Sequence, residues 1–316
     1  MIQISNDNED RDMNPNNNAD HEIDLIEIFN ILWARKILII FLTLISCVLS
    51  VLYALSLPNI YQSSATIAAQ EQIGGGGPTT GVLAGVASMA GVDLSADADK
   101  VQHGMKIMTS YSFIEDFIDK HGLLVPLMAA NGWDREKNQL IINSKIYNSE
   151  SEQWVRKPSP TQNPQPSLQE AHRKFLEILD VKKDKRTGLI EVSIEFFSPH
   201  LAEEWVSLMI EDVNSLMRDK DVMQAQKSIE YLSSEIGNTT YAEVKTALSD
   251  LIQSQTRTIM VARSTPEYVF QTLDPAYASE YKLKPKRAIL CIIGAIVGFL
   301  LSLASALTVN KFRPKV

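Results

Sequence analysis

The chain has 316 residues and a formal net charge of −8; 45% of its residues are hydrophobic and 22% charged. Net acidity excludes the usual nucleic-acid binder, whose affinity for the phosphate backbone rests on lysine and arginine. Both cysteines, Cys47 and Cys291, lie within apolar stretches, so no structural disulfide is expected.

Residues 1–24 hold seven acids, one arginine and six asparagines. That composition cannot bury enough surface to offset the entropy of ordering, so a disordered tail is expected over 1–22. IDLIEIFNILW (Ile23 to Trp33) is amphipathic, and Trp33 falls where aromatic belts form, so residues 23–36 read as an interfacial segment. Ile37 to Leu57 then gives 21 residues without a charge, and Ala288 to Val309 gives 22 more. At about 1.5 Å per residue each crosses a hydrocarbon core of roughly 30 Å, so 37–57 and 288–309 are expected to be transmembrane helices. Arg35 and Lys36 precede the first span, and no lysine or arginine occurs in the 20 residues after it. The positive-inside bias therefore puts both termini, including the tail 310–316, in the cytoplasm. The main domain, 58–287, then lies outside it, and its lack of cysteine fits a bacterial periplasm.

Within that domain IYQSSATIAA (Ile60 to Ala69) reads as a strand. The run Gly74 to Gly77 lacks the lysine that a phosphate loop needs and reads as a flexible loop. Asp97 and Asp99 read as the start of a helix, KVQHGMKIMTSYSFIEDFIDK, rather than as a metal-binding pair. Four prolines from Pro158 to Pro166 mark a connector, SLQEAHRKFLEIL is helical, and Leu189 to Phe197 alternates as a half-buried strand. Ser198-Pro199 opens a long helix whose first stripe is Leu201, Trp205, Leu208, Val213 and Leu216. Val222, Ala225, Ile229, Leu232 and Ile236 continue at coiled-coil spacing. Gly237 and Asn238 end it, Thr240 and Glu243 offer a capping box, and a second helix returns to Arg263. Glu267 to Asp274 is a last short strand.

The first strand leaves one span and the last enters the other. The expected fold is therefore α+β: two transmembrane helices flanking a mixed α/β base, with a long helical arm at about 199–263.

Gly294, Gly298, Ser302 and Ala306 form a small-residue stripe in the second span, and Ser46, Ser50 and Ala54 form one in the first. Small residues let helix backbones approach in lipid, so a helix–helix contact is expected, within the chain or between subunits. Four cations, Lys282, Lys284, Lys286 and Arg287, crowd the entry to the second span, where they can reach anionic headgroups. The five histidines are scattered without metal-ligand spacing, and neither a nucleophile elbow nor a zinc motif is present. The residues support no catalytic, cofactor or metal site.

IDLIEIFNILWARK before the first span, IYQSSATIAA after it, KIYNSESEQW, TGLIEVSIEFFSPHLAEEWV and EYVFQTLDPAYASEYKLKPKRAIL resemble, in this order, the Wzz-type chain-length determinants, also called polysaccharide co-polymerases. The resemblance implies a bacterial inner-membrane protein that sets the modal length of a Wzy-dependent polysaccharide, commonly lipopolysaccharide O-antigen, and is not an enzyme. It implies a homo-oligomeric ring acting with a Wzy-type polymerase on undecaprenyl-pyrophosphate-linked polysaccharide. The family's membrane-proximal proline-rich segment maps onto Asp274, Pro275, Ala276, Pro285, Lys286 and Arg287, with Ser279 standing where a proline is expected. The alternative is a capsule or exopolysaccharide co-polymerase paired with a separate cytoplasmic tyrosine kinase. A fused kinase is not expected, nor is a sensor or a glycosyl-transferring enzyme.

Overall fold

The computed structural model describes Trp33 and residues 35–70, 95–157 and 163–311. The expected tail 1–22, most of the interfacial segment, the glycine run at 74–77 and the residues beyond 311 lie outside these, as do Pro158 and Pro160. The elements run α1 (Lys36–Ser56), β1 (Tyr61–Ala69), α2 (Ser95–Met108), α3 (Tyr111–Lys120), α4 (Leu124–Ala129), β2 (Ala130–Asp134), β3 (Gln139–Ile142), β4 (Tyr147–Asn148) and β5 (Gln153–Trp154). They continue with α5 (Leu168–Ile178), β6 (Leu179–Lys183), β7 (Ile190–Phe196), α6 (Pro199–Asn238), α7 (Ala242–Ser264), β8 (Phe270–Asp274) and α8 (Arg287–Lys311). The helices α1 and α8 form one unit, and Leu57–Lys286 forms the other.

The second unit is mixed α/β. Its main sheet is antiparallel throughout, in the order β6-β7-β1-β8. Tyr61 pairs with Phe196 and Ile67 with Ile190, so one face of each strand turns inward together. Ile190, Val192, Ile194 and Phe196 are buried beside Tyr61, Ala65 and Ile67. Alternation of apolar residues thus becomes burial directly, because successive side chains in a strand point to opposite faces.

Helix α6 covers this face. Ser198 caps it, its hydroxyl accepting from the Leu201 amide, and Pro199 takes the first turn, where its missing N–H costs nothing. The indole of Trp205 lies 4.5 Å from the Phe196 ring and 6.2 Å from that of Phe175. The buried face is Ala202, Trp205, Val206, Met209, Ile210, Val213 and Met217. Of the stripe expected from sequence, Trp205 and Val213 lie in this face, whereas Leu201 and Leu208 are only partly buried at its edge and Leu216 is 39% exposed. The first half of α6 is apolar around much of its circumference, so apolar spacing alone admits two neighbouring faces. The position of the sheet selects between them.

Two further expectations are corrected. The helical run through KVQHGMKIMTSYSFIEDFIDK breaks at Thr109 and Ser110, because the Ser110 hydroxyl accepts from the Phe113 amide and starts a new helix. α6 ends at Asn238, as expected, but Thr240 and Glu243 form no capping box: α7 starts after Tyr241 with no side-chain cap. The backbone of α2 lies against Phe270, and a Cβ at Gly104 would sit 2.6 Å from that ring.

Asn214, 3% exposed, joins α6 to the start of β8. Its side-chain oxygen accepts from the amides of Val269 and Phe270, and its Nδ2 donates to the Phe270 carbonyl, each at 2.9 Å. Buried backbone groups deprived of their partners cost about 1–3 kcal/mol each. Asn214→Leu keeps the volume and removes all three bonds, so denaturant unfolding should show a loss of about 2–4 kcal/mol.

Arg156 gathers the end of the proline connector onto α5. Its Nε donates to the Pro164 carbonyl at 2.6 Å, and its Nη1 to Glu170 at 2.7 Å. The Arg156 guanidinium holds the Glu170 carboxyl below the usual carboxylate range. A carboxyl depressed in the folded state stabilises above its unfolded pKa, and the contribution is lost as pH falls through the folded value. Glu170→Gln should therefore flatten the fall in denaturation midpoint between about pH 5 and pH 3, leaving other groups to set the remaining slope.

Candidate functional site

Three features are built from the residues singled out above: the helix pair, the segment entering α8, and the long helical hairpin.

The helices α1 and α8 are both long and apolar enough to cross a membrane, and only 6% and 11% of their most apolar windows are buried. The small residues lie between them. The Ser50 hydroxyl donates to the Leu290 carbonyl at 3.0 Å, and that of Ser46 to the Gly294 carbonyl at 2.9 Å. A Cβ at Gly294 would fall 2.3 Å from Ser50 Oγ, and one at Gly298 would fall 2.3 Å from Ser46 Cβ. Only glycine at both positions lets the two backbones come this close. Ser302 is buried with its hydroxyl 3.4 Å from that of Thr43, while Ala54 and Ala306 are buried further along the pair. Thr43 extends the Ser46, Ser50, Ala54 series by one turn, a signal present in the sequence and overlooked there.

The segment after β8 runs back beside β1. Asp274 pairs with Thr66, past a register shift between Thr66 and Ile67. Pro275 is exposed and Ala276 packs against the core. The Ser63 hydroxyl donates to the Tyr277 carbonyl at 2.8 Å. The Ile60 amide donates to the Lys284 carbonyl at 2.9 Å, and the Leu283 amide to the Ile60 carbonyl at 2.8 Å. The two ends of the unit are thus hydrogen-bonded to one another. The cations of KLKPKR separate in consequence. Lys284 forms an ion pair with Glu195 on β7 at 2.5 Å, whereas Lys282 and Lys286 are exposed and Arg287 is half-buried. Pro285 is half-buried between them.

The hairpin joins α6 to α7. Val222, Ala225, Ile229, Leu232 and Ile236 are the less exposed positions on the second half of α6, and Ala225 is fully buried. On α7 the matching positions are Leu248, Ile252, Gln255, Ile259 and Ala262, spaced alternately by four and three. The two stripes form an antiparallel seam of coiled-coil type. Near its base Asp221 accepts from the Tyr268 hydroxyl at 2.7 Å and from Lys100 at 2.9 Å. Burial and the Asp221 carboxylate push the Tyr268 hydroxyl well above its usual pKa, so it stays a donor. Sequence patterning cannot find Lys100, Asp221 and Tyr268 as a group, because they come from three elements. Among the described residues, no group of three or more His, Cys, Asp or Glu is placed to hold a metal ion.

The chain matches the family model described as Wzz, chain length determinant protein, over residues 21–121, about a third of its length. The match bears out the resemblance read from the sequence. None of the curated proteins compared with the chain matches it. Among solved structures, a full-length bacterial polysaccharide co-polymerase is 13% identical and covers 92% of this chain and 100% of its own, with a TM-score of 0.40. A fragment of WzzB, a polysaccharide co-polymerase from Salmonella Typhimurium, is 11% identical and covers 72% of this chain and 100% of its own, with a TM-score of 0.22.

The helix pair gives a graded prediction. Ser46→Ala or Ser50→Ala should lower stability in lipid nanodiscs by only about 0.6 kcal/mol, the usual size of an interhelical bond in a membrane. Gly294→Leu or Gly298→Leu should cost several times more, because the backbones must separate. Thermal unfolding followed by fluorescence between labels on α1 and α8 measures both effects, and equal losses in the two classes would count against backbone approach as their cause.

Proposed function

We propose that the chain sets the modal length of a surface polysaccharide assembled by the Wzy-dependent route, with lipopolysaccharide O-antigen as the favoured polymer. In this reading it is an inner-membrane protein with both termini in the cytoplasm and the unit Leu57–Lys286 in the periplasm. It works as a homo-oligomeric scaffold beside the polymerase and the undecaprenyl-pyrophosphate-linked chain, and performs no chemistry of its own.

The observation that carries this reading is the chain length determinant match at residues 21–121, together with two apolar helices that bracket a mixed α/β unit. The hairpin of α6 and α7 supports a scaffold role. A helix of 40 residues extends about 60 Å, far more than the sheet needs for its cover. The exposed Lys282 and Lys286 suit contact with anionic headgroups at the entry to the second span. In a ring the same cations would form a positive collar able to hold the pyrophosphate of the lipid carrier.

Deleting the gene and resolving the cell's lipopolysaccharide on a gel tests the reading. The modal cluster of chain lengths should vanish while polymer persists at unregulated lengths. Loss of all polymer would point instead to an enzyme, and an unchanged ladder with altered capsule would favour the kinase-paired co-polymerase. Reversing Lys286 and Arg287 to glutamate at normal protein level separates collar from anchor: shifted lengths support the collar, and unchanged lengths leave only the anchor.

A further inference from the structure

A cleft of about 240 Å³ opens between the start of β1, the β2–β3 hairpin, the N-terminus of α6 and the segment before α8. Its distinctive walls are Tyr61, Trp133, Arg135, Asn138, His200 and Glu280. The aromatic side is held rigid. Trp133 meets Tyr61 edge to face, with ring centroids 5.5 Å apart and planes at 81°, and its ring centroid is 6.1 Å from that of His200. Its Nε1 donates to Asn138 Oδ1 at 3.0 Å. Asn138 takes a left-handed backbone conformation, φ 48°, which asparagine tolerates better than most residues. Asp134 fixes the rest of the loop by accepting from the amides of Glu136 and Lys137 at 2.9 and 3.2 Å. An indole fixed by its neighbours loses little freedom when a ligand arrives.

The polar side is uncommitted. Among the described residues Arg135 and Glu280 have no hydrogen-bond or ion-pair partner within the chain. One cation and one anion facing the same space leave it close to neutral. A phosphate would gain from Arg135 and lose to Glu280, and a greasy side chain would strip water from both without replacing its bonds. A neutral polyhydroxylated ring suits both groups, since each hydroxyl donates and accepts. Its polarised C–H bonds also suit the negative face of an indole. The volume lies below the roughly 300–1,000 Å³ of sites for drug-sized molecules, which limits the occupant to about one ring.

We propose that this cleft binds a single neutral hexose unit of a polysaccharide, with Trp133 as the apolar platform and Arg135 and Glu280 bonding to ring hydroxyls. The inference rests on the reading of the chain as a polysaccharide length determinant for the source of the sugar, and names where that polymer is gripped. All of its walls belong to the unit Leu57–Lys286.

The test uses the full chain in lipid nanodiscs and, as probe, surface polysaccharide released by mild acid from the cell that makes it. Saturation-transfer NMR should show protein-to-sugar transfer confined to the protons of one ring type. Arg135→Ala and Glu280→Ala each remove a charged hydrogen-bonding group from the surface and should weaken binding about tenfold. Trp133→Phe should retain part of the transfer and Trp133→Ala should abolish it. Unchanged affinity in both polar variants would overturn the site. Competition by inorganic pyrophosphate would overturn the neutral ligand in favour of the lipid carrier's headgroup. The outcome is separable from the function itself. If deletion of the gene changes the ladder while the polar variants bind normally, the cleft is wrong and length control survives. If deletion leaves the ladder intact, length control fails and the binding measurement alone judges the cleft.

Discussion

The pairing of β1 with β8, extended by the backbone bonds between Ile60 and the Leu283–Lys284 pair, is the constraint on which the rest of the second unit depends. It brings the first and last residues of a 230-residue stretch, Leu57–Lys286, into one place. Closing a loop of that length costs entropy that grows only slowly with the number of residues, but it must be recovered by contacts made at the closure. The sheet supplies them. β1 is central, bonded to β7 on one side and β8 on the other, so every inward residue from Tyr61 to Ile67 is covered by strand neighbours and by α6. Each chain segment that leaves β1 or β7 has to return to this sheet, and a helical hairpin is an economical way to travel far and come back.

Helix α6 therefore has two solvents along one axis. Up to Met217 it is a core helix, with Trp205 packed on Phe196 and a buried asparagine bound to β8. Beyond that point Ala225 is its only fully buried residue, and its less exposed side follows α7. The boundary is marked by polar residues: Asn214 pins Val269 and Phe270, and Asp221 gathers Tyr268 and Lys100 one to two turns later. These contacts tie the base of the hairpin to the start of β8 and to α2. Local opening should be easiest where buried apolar contacts are fewest, which is the far end of the hairpin, where Tyr231 and Tyr241 are 65% and 74% exposed. Gln255 in the seam of α7 weakens apolar packing there and is a polar group that favours one register over others.

The parts of this structure written in local patterns were legible. Two uncharged runs of more than 20 residues leave little choice but long apolar helices. Ile190, Val192, Ile194 and Phe196 alternate cleanly because the strand has one buried side, and Ser198-Pro199 starts a helix for reasons contained in those two residues. Short elements were not legible. β4 and β5 are two residues each, and β2 and β3 depend on a hairpin whose turn residue is Asn138 rather than glycine. The Ser110 break lies inside a sequence that reads as one helix, since a serine cap matters only once the chain has turned. Asn214 gives no warning at all: its role lies in partners 55 and 56 residues away. The same is true of the cleft. Tyr61, Trp133, His200 and Glu280 come from four distant segments, and no periodicity connects them.

Charge around the entry to α8 shows the same division between what a count can say and what folding decides. The sequence offers four cations within six residues, Lys282 to Arg287, and as a list they are equivalent. Folding makes them unequal. Lys284 is spent on Glu195, an acid on the outward side of β7, which would otherwise oppose any anion approaching that edge. The pair thereby joins the returning segment to the sheet and cancels one charge of each sign. Lys282 and Lys286 flank it and remain exposed, so the field they present comes from fewer cations at a more defined spacing than the sequence implies. A surface charge works by attraction that salt screens within about 8 Å at physiological ionic strength, so position matters more than number. The backbone bonds at Ile60 and Lys284 set that position, and the closure of the sheet therefore governs where the positive charge of the returning segment is placed on this unit.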